Sequence, residues 1–162
     1  MKSFKIVPLI VLFSLLVSML YAVDNQKNNS SSSASELVVK NITKSDFLKL
    51  VMNYEKNTKE WKFEGTKPCI IDFYADWCGP CRITSPILEE LAAEYKGKID
   101  IYKVNVDKER ELAQVFGISG IPAFLYCPLN GKPSMTSGIA KDKEQTKKMF
   151  IDNIESILLK SK

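Results

Sequence analysis

The sequence predicts an α/β domain: a central mixed β-sheet flanked by helices on both faces. Three patterns predict it. Segments of strand length alternate with segments of helical periodicity, in the order β-α-β-α-β-α-β-β-α. One of the strand segments, Cys69-Ile70-Ile71-Asp72-Phe73-Tyr74-Ala75, is almost unbroken in its apolarity, as expected of a strand covered on both faces. Further on, Asn130-Gly131 lies between two strand-like runs and marks a hairpin, which supplies the antiparallel part of the sheet.

The elements follow in chain order. Leu37-Val38-Val39 reads as a short edge strand. Thr43, with Asp46 three positions on, reads as a helix N-cap. Phe47, Leu50, Val51 and Tyr54 then recur at i, i+3, i+4 and i+7. Asn57 to Pro68 mixes polar and aromatic residues without a period, and leaves open whether Trp61 and Phe63 join the core or form a partner surface. After the buried strand, Gly79-Pro80 opens a helix with Ile83, Ile87, Leu88, Leu91 and Tyr95 as its inner stripe and Pro86 as an expected kink. Ile99 to Val106 alternates as a strand, and Lys108 to Phe116 forms a short helix closed by Gly117. Ala123 to Cys127 and Met135 to Ser137 are the hairpin strands, with Gly138 ending the second. Met149, Phe150, Ile154, Ile157 and Leu158 stripe a final helix.

A chain of 162 residues suits one domain with additional terminal sequence. Lys2 and Lys5 precede an apolar run from Ile6 to Leu20, followed by Tyr21-Ala22, the layout of a secretory signal peptide over residues 1–22. The run is short of the roughly 20 residues a spanning helix needs, so an uncleaved membrane anchor is the secondary expectation. Residues 23–40 form a Ser/Asn-rich linker, including Ser30 to Ser33, too poor in apolar side chains to fold alone. The folded domain is expected over 41–162. Export to the periplasm places the four cysteines in a disulfide-permissive compartment.

Composition excludes several kinds of chemistry. With no histidine, Cys–His and Ser–His catalysis are absent. A closed zinc site needs four ligands, and beyond Cys78 and Cys81 only Cys69 and Cys127 remain, so no metal is expected. The net charge of +4 is mild and its lysines are dispersed, which does not suit nucleic acid.

The chemistry points to Trp77-Cys78-Gly79-Pro80-Cys81 at a strand-to-helix junction. The first cysteine of such a motif meets unpaired backbone N–H groups and the positive end of the helix dipole, both of which stabilise a thiolate. Cys78 is therefore expected to be the exposed, attacking sulfur, and Cys81, one turn on and more buried, the resolving one. A purely structural disulfide is the bland alternative, but so short a ring constrains the unfolded chain little. Asp72 is an acid inside an apolar strand, which costs several kcal/mol unless it is neutral, paired or useful. Burial should raise its pKa, making it a candidate to take the Cys81 proton through a water. A structural carboxylate without a proton role is the alternative.

These residues resemble a known family. Ile70 to Pro86, with Asp72, the Trp-Cys-Gly-Pro-Cys motif and Pro86, is similar to the active-site region of thioredoxins. Gly117-Ile118-Ser119-Gly120-Ile121-Pro122 resembles their second signature, and Asn130-Gly131 with Gly138 completes the pattern from about Asn41 to Leu159. Lys59-Glu60-Trp61-Lys62-Phe63-Glu64-Gly65, with the leader, resembles exported thioredoxins of Bacteroides-type bacteria. The resemblance implies a thioredoxin fold with a cis Pro122 lying against the Cys78–Cys81 disulfide. Lys103 would be the lysine placed beside the buried Asp72. Trp77, Gly79, Pro80, Ile121, Pro122 and Gly138 would line a shallow docking surface where the Ile121-Pro122 backbone meets an extended peptide.

It also implies a thiol–disulfide oxidoreductase that needs no cofactor, because its electrons reside in the two sulfurs. Its partners would be disulfide-bonded client proteins of the exported compartment and a membrane or reductase electron donor, with the protein itself a monomer. Reduction of clients is the expected direction, since Gly-Pro between the cysteines resembles reducing thioredoxins. Oxidase or isomerase action and a non-catalytic binding module stand as alternatives. The family fold would make the strands carrying Cys69 and Cys127 adjacent and antiparallel, with two buried free thiols expected ahead of a second disulfide.

Overall fold

The computed structural model describes residues 39–160; the expected signal peptide, most of the expected linker and the last two residues lie outside the described residues. The strands are β1 (Val39–Asn41), β2 (Cys69–Tyr74), β3 (Asp100–Asn105), β4 (Ala123–Cys127) and β5 (Ser134–Ser137). The helices are α1 (Lys44–Leu50), α2 (Gly79–Glu94), α3 (Arg110–Val115) and α4 (Lys143–Asn153), the last continuing as a wider π-type turn over Ile154–Leu158. The sheet order is β1-β3-β2-β4-β5. Strands β1, β3 and β2 run parallel, while β2–β4 and β4–β5 are antiparallel, so the sheet is mixed as expected.

Alternation along β2 divides the core. Ile71 and Phe73 point to one face, where Phe47 and Val51 of the α1 region, Val104 and Leu112 of α3 pack against them. Ile70 points to the other, where Ile87, Leu88 and Leu91 of α2 meet Ile101, Phe124 and Phe150 of α4. The Phe124 and Phe150 rings meet edge to face with centroids 4.7 Å apart. With apolar cover on both sides, β2 needs its near-continuous apolar sequence, and Asp72 is the exception within it.

Several elements differ in extent from expectation. Of the expected edge strand, Leu37 and Val38 lie outside the described residues; β1 itself is short and pairs only with β3. Helix α1 begins with a reciprocal cap in which the Asp46 N–H donates to Thr43 Oγ1 and the Thr43 N–H donates to Asp46 Oδ2. It ends after seven residues, leaving Leu50 exposed and Tyr54 in the following turn, from where Tyr54 still packs on the core. On α2 the inner stripe is Cys81, Thr84, Ile87, Leu88, Leu91 and Ala92, and Ile83 is 43% exposed. Cys81 and Thr84 hold the inward positions of the first turns, which rotates Ile83 outward.

The aperiodic stretch before β2 folds back on the domain. The Glu64 N–H donates to Val51 O, and Trp61 and Phe63 pack against the α1 face of the core. Gly65 permits this, because a Cβ there would come within 2.5 Å of the Phe63 ring.

Candidate active site

Strand β2 ends at Tyr74, and the chain turns at once: the Cys78 N–H donates to Ala75 O at 3.1 Å. Cys78 is then the N-cap of α2, its Sγ accepting the Cys81 N–H at 3.2 Å. Pro80 occupies the first turn, where a missing N–H removes no helical bond. The two sulfurs are joined in a disulfide with Cα atoms 5.3 Å apart. A Cβ on Gly79 would meet nothing nearer than an Arg82 nitrogen at 3.9 Å, so this residue leaves the approach to Cys78 bare.

Both cysteines are 3% exposed, which corrects the expectation that Cys78 would be the more exposed of the two. With the disulfide closed they share one covering of Ala75, Val106 and Ile121. What differs between them is their place on the helix: one caps it, the other lies inside it.

Trp77, 68% exposed, stands beside the disulfide with its Nε1–H donating to Asp107 Oδ2 at 2.9 Å. Asp107 is held by the loop after β3. There Asn105 Oδ1 accepts the Asp107 N–H, and the Val106 N–H donates to Tyr74 O at the end of β2. Trp77, Val106, Arg110, Gln114, Ile118 and Ile121 line a groove of about 570 Å³, and Val106 and Ile121 also pack against the two cysteines. The Ile121–Pro122 peptide bond is cis. Pro122 O accepts the N–H of Gly138, whose φ of 80° suits glycine, while Ile121 makes no backbone hydrogen bond among the described residues. A polar backbone edge is therefore free between groove and disulfide, where an extended peptide can pair.

Beneath α2, Asp72 is fully buried and neither carboxylate oxygen has a hydrogen-bond partner among the described residues. Burial pushes its pKa up to about 7, opposed only in part by the charge of Lys103. Lys103 is the register partner of Asp72 on β3, as the resemblance implied. Its Nζ lies 3.9 Å from Asp72 Oδ2, an ionic contact but too long for a hydrogen bond. The ammonium donates instead to Ser85 Oγ and sits 4.4 Å from the centre of the Tyr74 ring.

Cys69 and Cys127 are direct register partners across β2 and β4, both buried and both free thiols. The facing Cys127 thiol, then burial, holds the Cys69 thiol well above its ordinary pKa.

The structure places Ile121 against Cys78 and Cys81, pairs Asp72 with Lys103 in register and Gly138 with Pro122 by a backbone hydrogen bond, and adds Asp107, Arg110, Gln114 and Ser85. Asp107 follows the apolar end of β3 and carries no local signal. Ser85 stands four residues after Cys81, but its partner lies on another strand.

The thioredoxin family model matches residues 38–152. The chain belongs to the thioredoxin family. It is 46% identical over 101 residues to the thioredoxin of Borreliella burgdorferi, covering 62% of this chain and 86% of that protein. The thioredoxin of Buchnera aphidicola subsp. Schizaphis graminum is 38% identical over 104 residues, 64% of this chain and 91% of its own. Thioredoxin 1 of Nostoc sp. is 38% identical over 80 residues, 49% of this chain and 75% of its own. As a thioredoxin, the protein is a thiol–disulfide oxidoreductase, a protein-disulfide reductase by class.

Proposed function

We propose that this thioredoxin reduces disulfides of exported proteins through Cys78 and Cys81. The observation that carries the reading is the Cys78–Cys81 disulfide across the first turn of α2, with the unbonded Ile121 backbone and the Trp77 groove beside it. In the reduced protein, Cys78 as thiolate attacks one sulfur of a client disulfide. A mixed disulfide forms, and the other client sulfur leaves as a thiolate and takes a proton from solvent. Cys81 then gives its proton toward Asp72 and attacks Cys78 Sγ. The Cys78–Cys81 bond closes, and the second client sulfur leaves as a thiolate that takes a proton from solvent, to which Asp72 returns its own. The client gains two electrons and two protons, and a membrane or reductase donor restores the dithiol.

The helix N-terminus at Cys78 favours the attacking thiolate. A carboxyl titrating near 7 is matched to accepting a proton at neutral pH. Lys103 moderates that carboxyl. The client backbone pairs at Ile121-Pro122, with Gly79, Pro80 and Gly138 leaving its path open. A monomer suffices for these steps.

The place of action rests on the leader. Lys2, Lys5 and the apolar run Ile6–Leu20 support export with cleavage after Ala22, a linker over 23–40 and a working domain over 41–162 in the periplasm. Among the described residues no helix is long and apolar enough to cross a membrane. Lys59 to Gly65, with the leader, supports kinship with exported thioredoxins of the Bacteroides type.

The deciding measurement is the reduction potential of the Cys78–Cys81 couple in a defined thiol buffer. A value of about −250 mV or lower is expected of a client reductase. A value above about −180 mV makes the protein an oxidant or isomerase, and the absence of a reversible two-electron couple leaves only a binding module. Cys81→Ser should trap clients on Cys78, and trapping exported proteins in particular checks the compartment.

A further inference from the structure

Ser85 lies one helical turn beyond Cys81 on α2 and is half-buried. Its hydroxyl oxygen accepts a hydrogen bond from Lys103 Nζ. The same ammonium faces the Tyr74 ring and stops 3.9 Å short of Asp72 Oδ2. An ammonium has three donors, and the Asp72 carboxylate has unused acceptors, so direct pairing would follow if nothing else held the lysine. The Ser85 hydroxyl and the Tyr74 ring are what hold it.

We propose that Ser85 is a positioning residue: its hydroxyl keeps the Lys103 ammonium from bonding directly to Asp72, and so keeps that carboxyl able to take up a proton. The proposal rests on the reading of Asp72 as the acceptor of the Cys81 proton. A lysine bonded directly would hold the carboxylate as an anion and make it a poor base. A lysine withdrawn altogether would leave the carboxyl protonated and unable to accept. Ser85 sets the position between these limits. Because it sits on α2, the helix that carries the resolving cysteine also carries the residue that tunes its base.

Other groups around Asp72 do not substitute for this control. From β3, Lys103 is the charged group that acts on it. On β4, Phe124 stands opposite, and two residues on is the Tyr126 phenol, whose own pKa burial raises. On α2, Cys81 is tied in the disulfide, and Arg82, Glu89 and Glu90 are exposed.

The test is the titration of the Asp72 carboxyl by 13C NMR in the full chain, oxidised and reduced. In Ser85→Ala the ammonium closes on Asp72, and the midpoint falls by at least about half a pH unit, roughly a threefold change in proton affinity. Ser85→Thr keeps the hydroxyl and titrates as the parent. In a Lys103→Met background, Ser85→Ala leaves the midpoint where that background puts it. An unchanged or raised midpoint in Ser85→Ala overturns the proposal, as does an equal shift with and without Lys103. The acid limb of kcat/KM for disulfide reduction separates the two readings. A midpoint that moves while the limb stays removes Asp72 from the proton path and leaves the hold of Ser85 on Lys103 standing.

Discussion

Two cysteine pairs stand at opposite ends of β2, and they share almost nothing but sulfur. Cys69 opens the strand and pairs across the sheet with Cys127. Cys78 and Cys81 follow the other end, beyond about 17 Å of strand. The first pair is closed in by β2 and β4 with neither residue exposed, and its two free thiols face each other across the strands. The second is joined at the start of a helix, beside a groove and a free backbone edge. All four residues are nearly inaccessible, so burial alone does not separate a redox centre from a packed thiol. The helix terminus, the neighbouring acid and the open backbone do. Reactivity here is a property of position rather than of residue type.

The largest effect expected from breaking this contrast is on turnover. Cys78→Ser should lower disulfide reduction by at least about 1,000-fold, as removal of a nucleophile does. Cys69→Ala should leave it within about threefold. Equal losses in an insulin-reduction assay would erase the functional difference between the pairs.

Next in size is the pH dependence of stability. The Asp72 carboxyl keeps its proton to about pH 7 in the folded chain, against 3.8 as the ordinary value. Between those limits the native state binds more protons than the unfolded one, so stability falls as pH rises from about 4 to 7 and is level above. A shift of about 3 pH units corresponds to roughly 4 kcal/mol. Denaturant unfolding across pH 4–9 should show Asp72→Asn lacking this fall. An identical slope in both proteins would place the proton elsewhere.

The quiet cysteine pair should matter to stability alone. Cys69→Ala should cost about 1–2 kcal/mol through lost packing. In the reduced parent, two thiols should react with an aromatic disulfide reagent under native conditions and four after unfolding. The smallest effect belongs to the indole contact. Asp107→Ala removes one hydrogen bond to Trp77, worth about 1 kcal/mol, and should raise KM several-fold with little change in kcat.

How far the site could be read from the chain depends on how local each feature is. Cys78 and Cys81 were legible because a separation of three residues places them on one helical turn. Asp72 was legible because a charge inside an apolar strand is anomalous wherever the strand lies. The pairing of Lys103 with Asp72 came through the family resemblance, since nothing in Ile99 to Val106 says which neighbour that lysine will face. Ile83 faces outward although it is apolar, because Cys81 and Thr84 take the inward positions of the first turns. Ser85 and Asp107 were missed, as each acts on a partner 18 and 30 residues away.

The sequence by itself determined the order of strands and helices, the two-faced burial of β2, the cap at Thr43, the redox motif and the acid behind it. These depend on periodicity and spacing, which operate within a turn or a strand. Only the tertiary structure decided that Cys69 faces Cys127, that Cys78 is as covered as Cys81, and that Trp61 and Phe63 close one side of the core. It alone decided that Lys103 reaches Ser85 rather than Asp72. Those outcomes depend on sheet register and on how α2 lies across the strands. Both are settled by packing the whole core at once, so no single segment encodes them.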